Sequence, residues 1–163
     1  MSIPIYRFAM QEGLNSEEFL PKRATNKSSG WDVFAVPEDK KSIFLRPGQY
    51  VKIPLGFRVI APDGWWLELK PRSSTFAKKN LNALYGTIDS DYRGYMAFVC
   101  QYIPDVRNLG TSLEIKLGEA IGQIIPVMLQ DMEIRSISNK EFDKFCKYEN
   151  NDRGAGGFGS TSK

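Results

Sequence analysis

From Val51 to Ala61 every odd position is apolar, Val51, Ile53, Leu55, Phe57, Val59 and Ala61 in turn. This is the period of a strand with one buried face, because successive side chains of extended chain point to opposite sides. Pro62-Asp63-Gly64 then turns the chain, and Trp65, Leu67 and Leu69 resume the alternation with Glu68 and Lys70 facing the other way. A hairpin is expected there. Met96 to Ile103 and Ile121 to Leu129 are denser apolar runs, as in strands covered on both faces. Pro126 lacks an N–H for a ladder, so part of the second run is expected at an edge or a bulge.

Helix signals are few. Ser138-Asn139-Lys140-Glu141 has capping-box spacing ahead of a short stripe of Phe142, Phe145 and Cys146, and a second short turn is expected over Ser74 to Lys79. Many short strands separated by Gly and Pro turns predict an all-β fold, a jelly-roll-like β-barrel with one or two short helices. Residues 1–147 read as the body and 148–163 as a glycine-rich C-terminal arm, with no internal repeats.

At 163 residues the chain suits one domain with a core of its own. Its net charge of +3 comes from 22 basic and 19 acidic residues with no dense basic block, which suits a small anionic ligand better than a duplex. Met1 to Met10 shows no cleavage pattern, and no run approaches the ~20 apolar residues of a membrane span. The reading is a soluble intracellular protein, cytoplasmic, or inside a host cell if the source is viral. Neither Cys100 nor Cys146 has the spacing of a metal knuckle, and both are expected to be buried, reduced thiols. The absence of histidine says more. It removes the commonest general base and metal ligand, leaving carboxylates, hydroxyls or a substrate-borne metal for any catalysis.

Four segments carry chemistry. The tail Arg153 to Lys163 reads R-G-A-G-G-F-G-S-T-S-K, too glycine-rich to form a core and expected to be mobile when free. Yet Phe158, Arg153, Ser160 and Thr161 are groups that hold a base or a phosphate, so the tail is either a low-complexity terminus or an arm that closes over a ligand. Ile88-Asp89-Ser90-Asp91-Tyr92-Arg93-Gly94 is expected at a hairpin bend, although an Asp-rich turn is more often only a turn. Gly30-Trp31-Asp32 opens another apolar segment with the same ambiguity. Pro71-Arg72-Ser73-Ser74 sets a guanidinium and two hydroxyls beside a helix start, which suits phosphate or simply caps the helix.

Read jointly and in chain order, these four segments and Gly118 to Gln123 resemble the five motifs of the trimeric deoxyuridine triphosphatase (dUTPase) family. Gly30-Trp31-Asp32-Val33-Phe34-Ala35 resembles the first and Pro71-Arg72-Ser73-Ser74 the second. Tyr85 to Gly94 resembles the third, Gly118-Glu119-Ala120-Ile121-Gly122-Gln123 the fourth, and Arg153 to Thr161 the fifth. The resemblance spans nearly the whole chain. Three departures bear on affinity and interface detail: Leu84-Tyr85-Gly86-Thr87 replaces a small, glycine-spaced stretch, Ala120 stands where arginine is common, and Ser162-Lys163 follows Thr161 where glycine is common.

The resemblance implies a homotrimer of jelly-roll-like barrels with active sites at subunit interfaces, each closed by a neighbour's C-terminal arm. It implies hydrolysis of dUTP to dUMP and pyrophosphate by attack of water on the α-phosphorus, which limits uracil in DNA and supplies dUMP for thymidylate synthesis. By that resemblance Asp89 orients the water, Arg72, Ser73, Ser74, Gln123, Arg153, Ser160 and Thr161 hold the phosphates, and Gly86, Ile88, Tyr92 and Phe158 hold the nucleoside. Mg²⁺ enters on the triphosphate, with Asp32 touching its water shell, and neither a membrane nor direct nucleic-acid contact is expected. Gln123 is equally readable as a residue that satisfies strand ends. A dCTP deaminase of the same architecture is the enzyme alternative, and a regulatory protein that uses this fold to bind another protein is the alternative of a different class. A P-loop NTPase is excluded, because the glycines precede no Lys-Ser/Thr.

Overall fold

A computed structural model describes residues 3–148. The described residues divide into two compact units, one ending at residue 130 and the other beginning at 131.

The first unit is built of short strands. In chain order these are β1 (Arg7–Met10), β2 (Trp31–Phe34), β3 (Ser42–Leu45), β4 (Tyr50–Pro54), β5 (Phe57–Ile60), β6 (Trp65–Pro71), β7 (Leu81–Ala83), β8 (Gly86–Ile88), β9 (Ala97–Tyr102), β10 (Leu113–Lys116) and β11 (Ala120–Met128). They pair as four sheets, β1-β5, β10-β3, β2-β11-β6-β8 and β4-β9-β7. The all-β, jelly-roll-like architecture is therefore present, with the described strands forming packed sheets rather than one closed ladder. Fully buried Ile53, Phe57, Phe98, Ile115 and Ile121 come from five different strands and meet in one core cluster. Phe8 and Phe57 meet edge to face at 5.4 Å between ring centroids, a favoured arrangement of their quadrupoles.

The alternation from Val51 to Ala61 buries its odd residues through Val59 as expected, while Ala61 is only half-buried. It is not one strand, however. Gly56 sits at φ +71°, a conformation open to glycine, and a Cβ there would meet Leu14 and Val36. The chain corners at that point, so β4 pairs with β9 while β5 pairs with β1. The expected hairpin after Ile60 is corrected for the same reason. Pro62 does close a turn to the Trp65 N–H at 3.1 Å, but β6 leaves β5 and pairs with β11 and β8 instead. Pro126 behaves as anticipated. The β2 ladder on β11 ends at Ile124 and carries a register shift between Ala120 and Gly122, so the proline faces a partner on the β6 side alone.

Both anticipated helices form, as α2 (Ser73–Ala77) and, in the second unit, α3 (Asn139–Tyr148). Ser138 and Glu141 cap α3 reciprocally. The Ser138 N–H donates to Glu141 Oε2 at 2.9 Å and the Glu141 N–H to Ser138 Oγ at 3.3 Å. The Ser138 hydrogen bonds also hold the Glu141 carboxyl below its ordinary range. A third helix, α1 (Ser16–Phe19), and a 3-10 turn (Val106–Asn108) were not legible in advance. Asn15 starts α1 by accepting from the Glu17 N–H at 2.9 Å, and although Glu18 stands three residues on, a four-residue helix is too short to show an apolar period. Among the described residues, no helix is long and apolar enough to cross a membrane.

The two thiols differ. Cys100 is buried on β9, where desolvation pushes its thiol up to about 11, so it stays protonated and inert. Cys146 is exposed, contrary to expectation. Its stripe partners Phe142 and Phe145 are exposed too, as are all the residues described from 131 to 146.

Candidate functional site

The end of the β2-β11-β6 ladder gathers residues that lie far apart in sequence. Gln123 is paired to Asp32 on one side and to Lys70 on the other, and Gly122 to Pro71, so the first, second and fourth motifs become adjacent rows of one sheet. Arg72 is the first residue beyond β6. Its Nε lies 3.1 Å from Asp32 Oδ1, and its Nη1 reaches the Ala120 carbonyl at 3.5 Å. The pair is partly buried, so the guanidinium is aimed by a fixed carboxylate while keeping other N–H donors for a ligand. Ser73 is exposed and Ser74 half-buried in the first turn of α2, directly beyond Arg72.

Gln123 closes this cluster. Its Nε2 donates to the Pro71 carbonyl at 3.2 Å, which fixes the amide and leaves one N–H for a ligand. Strand-end satisfaction, one of the two readings of Gln123, is thus an observed role. Gly30 is buried against the same side chain, and a Cβ there would overlap Gln123 Oε1 and lie 3.1 Å from its Cβ and Cδ. Gly30→Ala should therefore displace Gln123 and destabilise the fold by about 1–3 kcal/mol, the usual range for overpacking. Thermal unfolding checks this, and an unchanged Tm would show that the amide swings aside freely.

Two supporting contacts are not evident from the sequence, although Glu119 stands in its fourth motif. Thr75 is fully buried in α2, and its hydroxyl donates to the Ile121 carbonyl at 2.7 Å, which pins the helix bearing Ser73 and Ser74 to β11. Glu119 is ion-paired with Lys79 at the far end of that helix and accepts from the Lys116 N–H at 3.0 Å. A threonine in a five-residue helix and a glutamate in a turn carry no periodic signal, so only the packing reveals them. Asp32 is also held from behind, by a two-way backbone bridge to Lys22 with N···O distances of 2.7 and 3.1 Å.

The third motif lies elsewhere. Gly86 and Ile88 form β8, paired to Leu69 and Leu67, and Asp89 follows in an exposed turn. Backbone closes that turn: the Tyr92 N–H donates to the Asp89 carbonyl at 3.1 Å, and Arg93 Nη1 donates to the Ser90 and Tyr92 carbonyls at 2.7 and 2.9 Å. Tyr92 is 44% exposed, its hydroxyl donating to the Tyr95 carbonyl at 3.2 Å. Because β8 runs antiparallel to β6, Asp89 leaves at the end opposite Arg72, about six residues or ~20 Å of strand away. Within one chain the candidate base and the candidate phosphate cluster do not meet. Tyr85 lies beside β8, 69% exposed, and lines a cavity of about 230 Å³ with Pro71 and Phe76. Arg153, Phe158, Ser160 and Thr161 lie outside the described residues.

An apolar cavity of about 290 Å³ between Pro4, Tyr6, Leu20, Trp31 and Pro126 contains none of the candidate groups. Tyr6 donates there to the Trp66 carbonyl at 3.0 Å, and burial pushes its phenol up to about 12.

The dUTPase family model matches residues 17–162, nearly the whole chain and all five motifs. The chain belongs to the dUTPase family. Among its relatives, a deoxyuridine 5'-triphosphate nucleotidohydrolase of Caulobacter vibrioides is 32% identical over 158 residues, covering 95% of this chain and 92% of the relative. One of the same description from Fusobacterium nucleatum is 33% identical over 147 residues, covering 88% and 90%. Solved structures of the family share the fold. A variant of the Staphylococcus bacteriophage 80alpha dUTPase with dUpNHpp superposes at a TM-score of 0.71, with 20% identity and coverage of 96% and 97%. The Streptococcus mutans dUTPase superposes at 0.67, with 24% identity and coverage of 77% and 98%.

Proposed function

We propose that this chain hydrolyses dUTP to dUMP and pyrophosphate at sites assembled between copies of itself, as a homotrimer. The observation that carries this reading is the separation just described. One end of β6 bears the Asp32–Arg72–Gln123 cluster and the other the Asp89 turn. A triphosphate and its nucleoside need both at once, and closed rotational assembly supplies the second half from a neighbour.

Each residue has a task in that reading. Asp89 orients and polarises the attacking water, a carboxylate in the role that histidine often fills. Arg72 and Arg153 bind phosphate oxygens through paired N–H donors, Ser73, Ser74, Ser160 and Thr161 add hydroxyl and backbone donors, and Gln123 offers its remaining amide N–H. Gly86 and Ile88 present backbone groups to the uracil edge, where a cytosine would leave buried polar groups unpaired. Tyr92 packs where a ribose 2′-hydroxyl would need room. Phe158, on the arm 148–163, stacks on uracil for about 1–3 kcal/mol and shields the reaction from water.

The residues present fit a magnesium ion brought by the substrate. Asp32 is a hard oxygen donor whose Oδ1 is held by Arg72, which leaves its other oxygen to accept from a metal-bound water. Among the described residues no cluster of three or more metal-ligating side chains occurs, so phosphate oxygens and water would supply most of the shell. Bound there, Mg²⁺ neutralises triphosphate charge.

The test is a nucleotide panel. Purified protein with Mg²⁺ should release pyrophosphate from dUTP and far less from dCTP, dTTP or UTP. Equal turnover of all four would overturn the specificity, and ammonia release from dCTP would favour the deaminase.

A further inference from the structure

Another pocket of the molecule concentrates positive charge that the proposed reaction does not use. Arg7 on β1 and Arg58 on β5 lie on the exposed side of their two-stranded sheet. The register pairs Arg7 with Ile60 and Ala9 with Arg58, so the two arginines are diagonal neighbours, about 7–8 Å apart at the backbone. Arg93 joins them from the turn after Asp89. Arg7, Ala9, Arg58, Ile60 and Arg93 line a single cavity of about 350 Å³.

None of these arginines is ion-paired among the described residues, whereas Arg72, Arg107 and Arg135 each have a carboxylate. Two of the three are nevertheless positioned. Arg58 lies over the Tyr95 ring, 5.8 Å from its centroid, and Arg93 Nη1 is held by the Ser90 and Tyr92 carbonyls. Three like charges around one concavity repel one another until an anion enters, and guanidinium forks match the oxygens of a phosphoryl group. The pocket is concave and local, on a chain without a basic stripe, which favours a compact ligand over a nucleic-acid backbone.

We propose that Arg7, Arg58 and Arg93 form a second anion site, which binds a small ligand carrying two or more linked phosphoryl groups, free or at the end of a nucleotide. Its position matters, since the Arg93 guanidinium that lines the pocket also closes the turn bearing Asp89.

Calorimetric titration of the full chain tests this. Arg72→Ala serves as background, to weaken phosphate binding by the other cluster, and the probes are inorganic pyrophosphate and ADP. The Arg72→Ala protein should still bind pyrophosphate, and adding Arg7→Gln and Arg58→Gln should weaken that binding at least tenfold. Adding Lys27→Gln and Lys144→Gln, which remove as much charge elsewhere, should leave it unchanged. Equal affinity for ADP marks a free phosphoryl ligand, and tighter ADP binding marks a nucleotide. Should the glutamine pair not fold, Arg7→Lys with Arg58→Lys keeps the charge, loses the forks and should weaken binding severalfold. The site is refuted by absence of pyrophosphate binding in the Arg72→Ala background, by equal loss in the lysine control, by no loss in the arginine variants, or by binding of a single-stranded oligonucleotide alone.

Discussion

Asp89→Asn binds dUTP with near-normal affinity and turns it over about 10²–10⁴-fold more slowly, the usual worth of a positioned base. The substitution is close to isosteric, and the turn that carries it is closed by backbone groups, the Asp89 carbonyl accepting from the Tyr92 N–H and Arg93 bracing the Ser90 and Tyr92 carbonyls. None of those bonds uses the carboxylate. Asp89 is exposed and makes no ion pair among the described residues, so removing its charge should leave the fold intact. The loss should fall on kcat with KM little changed, as for a group acting in the transition state. Steady-state kinetics beside equilibrium binding of a non-hydrolysable dUTP analogue separates the two. A near-normal kcat would remove Asp89 from its role.

Arg72→Ala is the partner experiment, and mixing the two variants gives the second large effect. Each alone should be strongly impaired, Arg72→Ala through loss of a phosphate fork and Asp89→Asn through loss of the base. If one site takes Asp89 from one copy and Arg72 from another, an equal mixture refolded together restores about one intact site in four by random assortment of copies around a ring. If both groups of a site come from one chain, the mixture stays dead. The ~20 Å of β6 between them predicts recovery. Because exposed Asp89 and partly buried Arg72 do not contribute to the core, both variants should assemble, which size measurement on the mixture confirms before activity is read.

How much of this was legible in the sequence varies by element. The odd residues from Val51 to Val59 were assigned to the core and are buried, because side-chain direction in extended chain is local information. The corner at Gly56 was not, since alternation continues through a change of sheet without a break in phase. The expected β5-β6 hairpin failed similarly: Pro62-Asp63-Gly64 specifies a turn, but which edges pair afterwards depends on strands more than fifty residues away on β11. The α3 cap was read from four consecutive residues and formed as read. Cys146 is exposed where burial is expected, because an apolar stripe says which face of a helix would pack and not whether anything covers it.

By itself, then, the sequence determined what is local or linear. It set the strand faces, the turn chemistry around Asp89, the capping box, the lack of histidine and the order of five motifs that places the chain in its family. Only the tertiary structure decided which of these meet. The β2-β11-β6 register brings Asp32, Arg72 and Gln123 together, and the antiparallel course of β8 carries Asp89 to the other end of the sheet. It also set three arginines around one pocket. Register and pairing are properties of distant segments choosing one another through buried area and hydrogen bonds, so no single stretch of chain encodes them.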